Sequence, residues 1–311
     1  MEVTICRYTT GINNKVDPAR IPYDPETGVT GLENCTDMLI DIAGGMSTRR
    51  GSDLVESGDF HSGYFLADGS FYAVKNRTTD SALYKVDPQP DGTVSVTGIR
   101  SGLTIGALMS YRLVDGKIYY MNGYERGVLS GDASDLWPTS IWPDEDTADN
   151  FVDAPIGSHV DMLSGRFLIA VGKELQYTEA GFYGLMDGAI NYRVFESEII
   201  LIVAVDTGVY VSDEKAVYFL DGRNPEEWIL LKVLDYPAIP YCRNQELVDP
   251  SQYGLESTRP SALFGTVNGL VIGLPDGTPF NLIDKKVVMT SGYSHGSIMV
   301  VDETTIIQSG A

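Results

Sequence analysis

Short apolar strands joined by tight glycine turns recur along this chain at a nearly constant spacing, and that spacing limits the fold more than any other feature. Residues 64–66, the pair Asp68-Gly69 and residues 70–74 form one such unit, and residues 111–114, Asp115-Gly116 and residues 117–122 form another. The device returns at Ser164-Gly165 before RFLIAV, at Thr207-Gly208 before VYVS and at Asn268-Gly269 before LVIGL. Between the turn glycines the intervals are 47, 49, 43 and 61 residues. Four-stranded propeller blades repeat at about 40–50 residues, so the first three intervals each match one blade and the fourth has room for an insertion.

The strand content of one repeat is clearest in residues 199–234. There LIVAVD, GVYVSD, AVYFLDG and WILLKVL read as four consecutive strands separated by turn residues. Helical periodicity is nearly absent, while Val, Ile, Tyr and Phe dominate the apolar runs. Five such units and a partial one fit the chain. The last pair, 297–301 and 304–308, lacks its complement of strands, and an N-terminal strand such as residues 2–8 would complete it and close the exposed edges. The expected fold is therefore all-β: a β-propeller of five or six blades over residues 58–311, with an extended N-terminal arm over residues 1–57. A sandwich or two stacked barrels is the alternative architecture. Insertions are expected near 136–155, where two Trp-Pro pairs meet an acidic run, and near 236–260, which is rich in proline.

Composition removes several classes of function. The chain carries 43 acidic and 22 basic residues, a formal charge of -21. Such a surface does not grip nucleic-acid phosphates, although it suits a passage through which DNA slides without sticking. No apolar run reaches the roughly 20 residues that span a bilayer, and the N-terminus lacks a basic segment followed by an apolar core, so a soluble product without a membrane partner is expected. Cys6, Cys35 and Cys242 are odd in number and far apart, which suggests neither a disulfide framework nor a zinc site.

Candidate chemistry is sparse. His61, His159 and His295 stand in no metal-ligand spacing, although convergence of all three on a propeller axis would make a metal conceivable. Ser294 precedes His295 in GYSHGS but belongs to no GxSxG elbow. The carboxylates Asp144, Glu145, Asp146, Glu226 and Glu227 are neighbours in a chain where acidic adjacency is commonplace. No catalytic residue, cofactor or metal is assigned.

The arm carries a resemblance. GINNKVDPARI at residues 11–21 and LENCTDMLIDIAGGMSTRRGSDLV at residues 32–55 resemble the opening of a group of tailed-phage virion proteins: the tail nozzle or tail tubular proteins and the packaged-DNA-stabilising hub proteins. The resemblance covers about the first fifth of the chain and rests on Gly11, Asn13, Asn14, Asp17, Arg20, Asn34, Arg49, Arg50 and Gly51. It implies a propeller behind the arm and a ring of six copies on the tail axis. The implied partners are a portal or adaptor ring and other tail proteins, in a virion assembled in the host cytoplasm, with DNA passing through the lumen without tight binding. Asn13, Asn14 and Asp17 are turn formers, while Arg20, Arg49 and Arg50 are placed to meet a neighbouring subunit, the last two as bidentate forks for its carboxylates. Trp137 and Trp142 are further candidate contacts. They would be the stacking aromatics if the propeller were instead a module that recognises a host receptor or glycan. A propeller-type glycosidase or lyase is the third possibility.

Overall fold

The computed structural model describes residues 56–142, 150–283 and 294–301, together with residues 9–12, 20–21, 30–32, 38–40, 46–48 and 304–310. Four short strands lie in the arm: β1 (Thr9–Ile12) pairs in parallel with β2 (Thr30–Leu32), and β3 (Met38–Ile40) pairs antiparallel with β4 (Met46–Thr48). Five four-stranded antiparallel sheets follow, and these are the blades. Blade 1 is β5 (Asp59–Phe65), β6 (Phe71–Asn76), β7 (Ser81–Pro88) and β8 (Val94–Leu103). Blade 2 is β9 (Ser110–Val114), β10 (Lys117–Met121), β11 (Arg126–Ser130) and β12 (Ala133–Asp135). After β13 (Phe151–Asp153), blade 3 takes β14 (His159–Leu163), β15 (Arg166–Val171) and β16 (Glu174–Tyr177); β17 (Leu185–Asp187) leaves to pair with β13, and β18 (Tyr192–Val194) completes the blade. Blade 4 is β19 (Ile199–Val205), β20 (Gly208–Asp213), β21 (Val217–Asp221) and β22 (Ile229–Leu234). Blade 5 is β23 (Ala238–Arg243), β24 (Ala262–Thr266), β25 (Gly269–Gly273) and β26 (Pro279–Asn281). A hairpin of β27 (His295–Val301) and β28 (Thr304–Gly310) comes last.

The protein is thus an all-β propeller with five full blades. Its first strands adjoin one another in the order β9, β14, β19 and β23, and β27 stands beside β23 in a sixth position occupied by two strands. Among the described residues the hairpin pairs only with itself, and the N-terminal stretch 2–8 expected to complete it lies outside them.

In blades 1 to 4 the repeated glycines mark the same place, the connection between first and second strands, whereas Asn268-Gly269 joins the second and third strands of blade 5. Asp115 (φ 49°) with Gly116 (φ 74°) and Ser164 (φ 49°) with Gly165 (φ 76°) are two-residue turns with both residues left-handed, which matches the twist of the paired strands. In blade 4 the turn is Asp206-Thr207, and Gly208 is the first residue of β20. A Cβ at Gly208 would stand 2.3 Å from the Leu220 carbonyl oxygen, so close packing, not the turn, demands glycine there.

Side-chain alternation turns the blades into a ring. In β19, Ile202 and Ala204 pack with Leu168 of blade 3, while Leu201, Val203 and Val205 pack with Phe264 of blade 5. A strand covered on both faces has no use for polar residues, which is why it reads as the unbroken run LIVAV. Burying each such side chain is worth about 1.5–3 kcal/mol. Further clusters join blade 1 to blade 2 through Tyr64, Tyr72 and Tyr120, and blade 2 to blade 3 through Tyr119, Trp137 and Phe167. Ile239 and Ile272 of blade 5 meet Ile298 of the hairpin.

Two stretches expected to be insertions contribute to the ring. Within 236–260, residues 238–243 are the first strand of blade 5; Pro240 sits on a strand whose inner edge faces the axis and needs no ladder donor, which hid the strand behind its proline. Within 136–155, Trp137 turns inward and β13 pairs with β17.

Candidate functional site

First strands of a propeller present one backbone edge to the axis, where carbonyls have no strand partner. Here a buried charge cluster meets them. Asp161, on β14, is 1% exposed. Its Oδ1 lies 3.2 Å from Arg112 Nε and accepts the Met162 N–H at 2.7 Å; its Oδ2 accepts from Arg243 Nη1 at 2.5 Å and from the Ala204 N–H at 3.0 Å. Arg243 also donates to the Ile202 carbonyl at 2.6 Å and to the Tyr111 and Val160 carbonyls at 3.2 Å each. One guanidinium from blade 5 therefore ties together blades 2, 3 and 4, using the several donors that only arginine offers in a fixed fork. Burial by itself would raise the Asp161 pKa, but Arg112 and Arg243, with the two backbone donors, outweigh it and hold the carboxyl below the usual range.

Above this cluster opens a cavity of about 840 Å3, lined by β5, β9, β23 and β27 and reached by His61, His159 and His295. The three histidines of the chain thus converge although nearly a hundred residues or more separate them. Each has Nδ1 within hydrogen-bond reach of an adjacent serine hydroxyl: Ser62 at 2.8 Å, Ser158 at 2.9 Å and Ser294 at 2.8 Å. His61 Nε2 donates to Asn76 Oδ1 at 3.2 Å, which leaves Nδ1 as the acceptor of the Ser62 hydroxyl. His159 is buried and stacks on Tyr241 with ring centroids 4.2 Å apart. Two residues on the cavity wall, Ser62 (φ 55°) and Tyr241 (φ 59°), hold left-handed backbone within irregular stretches of β5 and β23. Gln245 closes the gap between blades 5 and 1: its Oε1 accepts the Phe65 N–H at 2.8 Å and its Nε2 donates to the Phe65 carbonyl at 2.6 Å, so its amide pairs with β5 as a neighbouring strand would. Among the described residues no group of three His, Cys, Asp or Glu side chains is arranged to hold a metal ion.

Of the residues expected to make contacts, Asn13, Asn14, Asp17, Arg49 and Arg50 lie outside the described residues, and Arg20 is exposed. Trp137 is not on the surface. It is 5% exposed, its Nε1 donates to the Tyr183 carbonyl at 2.8 Å, and it packs edge-on against Tyr119 at 5.0 Å. The Trp-Pro pair that suggested an exposed loop instead turns the indole into the core between blades 2 and 3. Trp142 stacks on Phe151 with centroids 4.1 Å apart and tilts against Phe182 at 5.4 Å.

No family model and no curated protein matches the chain. Among solved structures it is similar to a streptogramin B lyase at 9% identity and a TM-score of 0.45, over 81% of this chain and 82% of that one. It is similar to the AfRom2 CNH domain at 12% identity and a TM-score of 0.39, over 83% and 71%. Sqt1 of Saccharomyces cerevisiae is similar at 11% identity and a TM-score of 0.35, over 78% and 76%. The fold assignment stands on the blades themselves.

Proposed function

We propose that the chain is a phage virion structural protein, a nozzle- or hub-like subunit that forms a ring on the tail axis for retention and passage of DNA. The observation that carries this reading is a conjunction: the GINNKVDPARI and STRRG segments precede a propeller, the order that the resemblance implies. Two physical features support it. The propeller axis is crossed by Arg243 and Asp161, so the proposed DNA path runs through the ring of subunits and not through a blade axis. A charge of -21 suits a lumen that repels a polyanion along its whole length. In this reading the arm, with Arg20, Arg49 and Arg50, reaches a neighbouring subunit or an adaptor ring, and six copies close through head-to-tail contacts. The test is imaging of the purified full chain by negative stain together with its mass in solution. Closed rings of one stoichiometry are expected; a monomer that also has no place in phage particles overturns the proposal.

A further inference from the structure

On the wall of the histidine cavity one serine hydroxyl sits in a chain of hydrogen bonds whose every direction is fixed. In β5 the ladder breaks between His61 and Tyr64, so that Ser62 and Gly63 together stand opposite Ala73. A bulge of this kind re-aims a side chain, and Ser62, on left-handed backbone (φ 55°), lines the cavity. Asn76 Nδ2 donates to Asp59 Oδ2 at 2.9 Å, while Asn76 Oδ1 accepts the Gly106 N–H at 2.9 Å and the Ser81 hydroxyl at 2.6 Å, which settles the orientation of the amide. His61 Nε2, 3.2 Å from that oxygen, therefore carries the ring proton. Burial holds the His61 pKa below its ordinary value, so at neutral pH the ring is neutral and Nδ1 offers a lone pair to Ser62 Oγ at 2.8 Å. The Met109 N–H donates to the same Oγ at 2.9 Å, which leaves the hydroxyl proton directed at Nδ1.

A serine becomes a nucleophile when a base accepts its proton and a third group orients that base. Ser62, His61 and Asn76 stand in that relation, with the Asp59 carboxylate behind the amide. We infer that Ser62 and His61 are a nucleophile and its general base for the cleavage of neutral esters of apolar acids, with Asn76 and Asp59 as positioning residues. The cavity selects this class of substrate. Its volume of about 840 Å3 admits a small molecule, and Phe65, Phe71, Leu108, Leu113 and Met299 give it apolar walls. Among the described residues that line it, Arg243 is the one Lys or Arg, and its guanidinium is already engaged by Asp161 and three carbonyls, so no such cation is left to hold a free carboxylate. In the first step Ser62 Oγ bonds to the ester carbonyl carbon and its proton passes to His61 Nδ1. The bond from that carbon to the alcohol oxygen then breaks, and the same proton leaves with the alcohol. Water next attacks the acyl-serine, gives a proton to Nδ1 that returns to Oγ, and releases the acid. This activity goes beyond the ring-subunit reading and does not rest on it.

The test treats the full-length protein with an alkyl fluorophosphonate, whose phosphorus bonds to the serine oxygen and releases fluoride, and locates the adduct by peptide mass spectrometry. A single adduct on Ser62 is expected. Ser62→Gly removes the hydroxyl and suits left-handed backbone, so it is expected to keep the melting temperature of the parent and to abolish both the adduct and the hydrolysis of p-nitrophenyl butyrate. His61→Phe is expected to slow both by about a hundredfold or more. Should a variant melt early, the site and rate of labelling in the parent, set against its urea-unfolded form, decide without it. A parent labelled no faster than its unfolded form overturns the inference. So does an adduct on Ser158 or Ser294 in place of Ser62, or an unchanged rate in folded His61→Phe. The ring reading, tested by imaging, stands or falls separately.

Discussion

Burial pushes the His159 pKa down to about 3, with the positive charge of Arg243 adding to the effect. In the unfolded chain the ring titrates near 6.5. The folded protein therefore refuses a proton that the unfolded chain accepts, and stability present above pH ~6.5 is lost as the pH falls toward 3, at about 1.4 kcal/mol per pH unit. Burial lowers the His61 pKa as well, against the pull of Asn76 and Asp59, and adds to the loss in the same direction. Asp161 adds a later loss, below the ordinary carboxylate range, where its held-down pKa is finally reached. Calorimetric melts from pH 8 to pH 4 are expected to show a falling melting temperature, and His159→Phe, which preserves a ring against Tyr241, is expected to flatten that fall. An identical pH dependence in the variant would show that His159 is not the buried neutral ring. Removing the axial hub has a larger effect. Arg243→Met leaves Asp161 buried with Arg112 as its remaining cation and is expected to cost on the order of 3–5 kcal/mol in urea unfolding. Adding Asp161→Asn is expected to cost less than the sum of the two single changes, because the groups act as one network. The sequence held a signal for this cluster: YRL, VDM and YCRN each place one charge within or at the end of a mostly apolar first strand. Which charge meets which carbonyl was not legible, since that depends on strands more than a hundred residues apart curving around one axis.

At the scale of the strand and turn, most of the architecture could be read directly. The glycine spacing located the first hairpin of blades 1 to 4 and the second hairpin of blade 5, and residues 199–234 resolved into the four strands of blade 4. What was misread followed from local rules that the ring overrides. Pro240 argued against a strand, yet the inner edge of a blade accepts a residue without a backbone donor. Trp137-Pro138 argued for an exposed loop, yet a chain that turns at proline can still send its indole inward. The two kinds of glycine in the hairpins differ in a measurable way. Gly116→Ala places a Cβ in open space on left-handed backbone and is expected to cost about 1 kcal/mol. Gly208→Ala drives a Cβ against the Leu220 carbonyl and the Phe219 ring and is expected to cost clearly more, by the same urea titration. Equal costs would mean that blade 4 yields at this point instead of holding its packing.

For the whole molecule the ring has six positions, five of them filled by complete sheets and one by the β27–β28 hairpin. The cavity that gathers the three histidines is lined by strands of blades 1, 2 and 5 together with that hairpin. Fold class was legible because it depends on a period repeated along the chain, whereas the functional reading depends on a short arm whose key residues, Asn13, Asn14, Asp17, Arg49 and Arg50, lie outside the described strands. Electrostatics gives that reading an independent check: the purified protein is expected not to retain duplex DNA at physiological salt, and tight, salt-sensitive binding would contradict a repelling lumen. The most direct measurement is a cryo-electron-microscopy reconstruction of phage particles purified from cells that make this protein. The expected result is six copies of a five-bladed propeller around the tail axis, with the arm of each against its neighbour or the adaptor ring above and the DNA path between subunits. Particles that lack the protein, or that hold it as isolated copies away from the axis, would contradict the assignment.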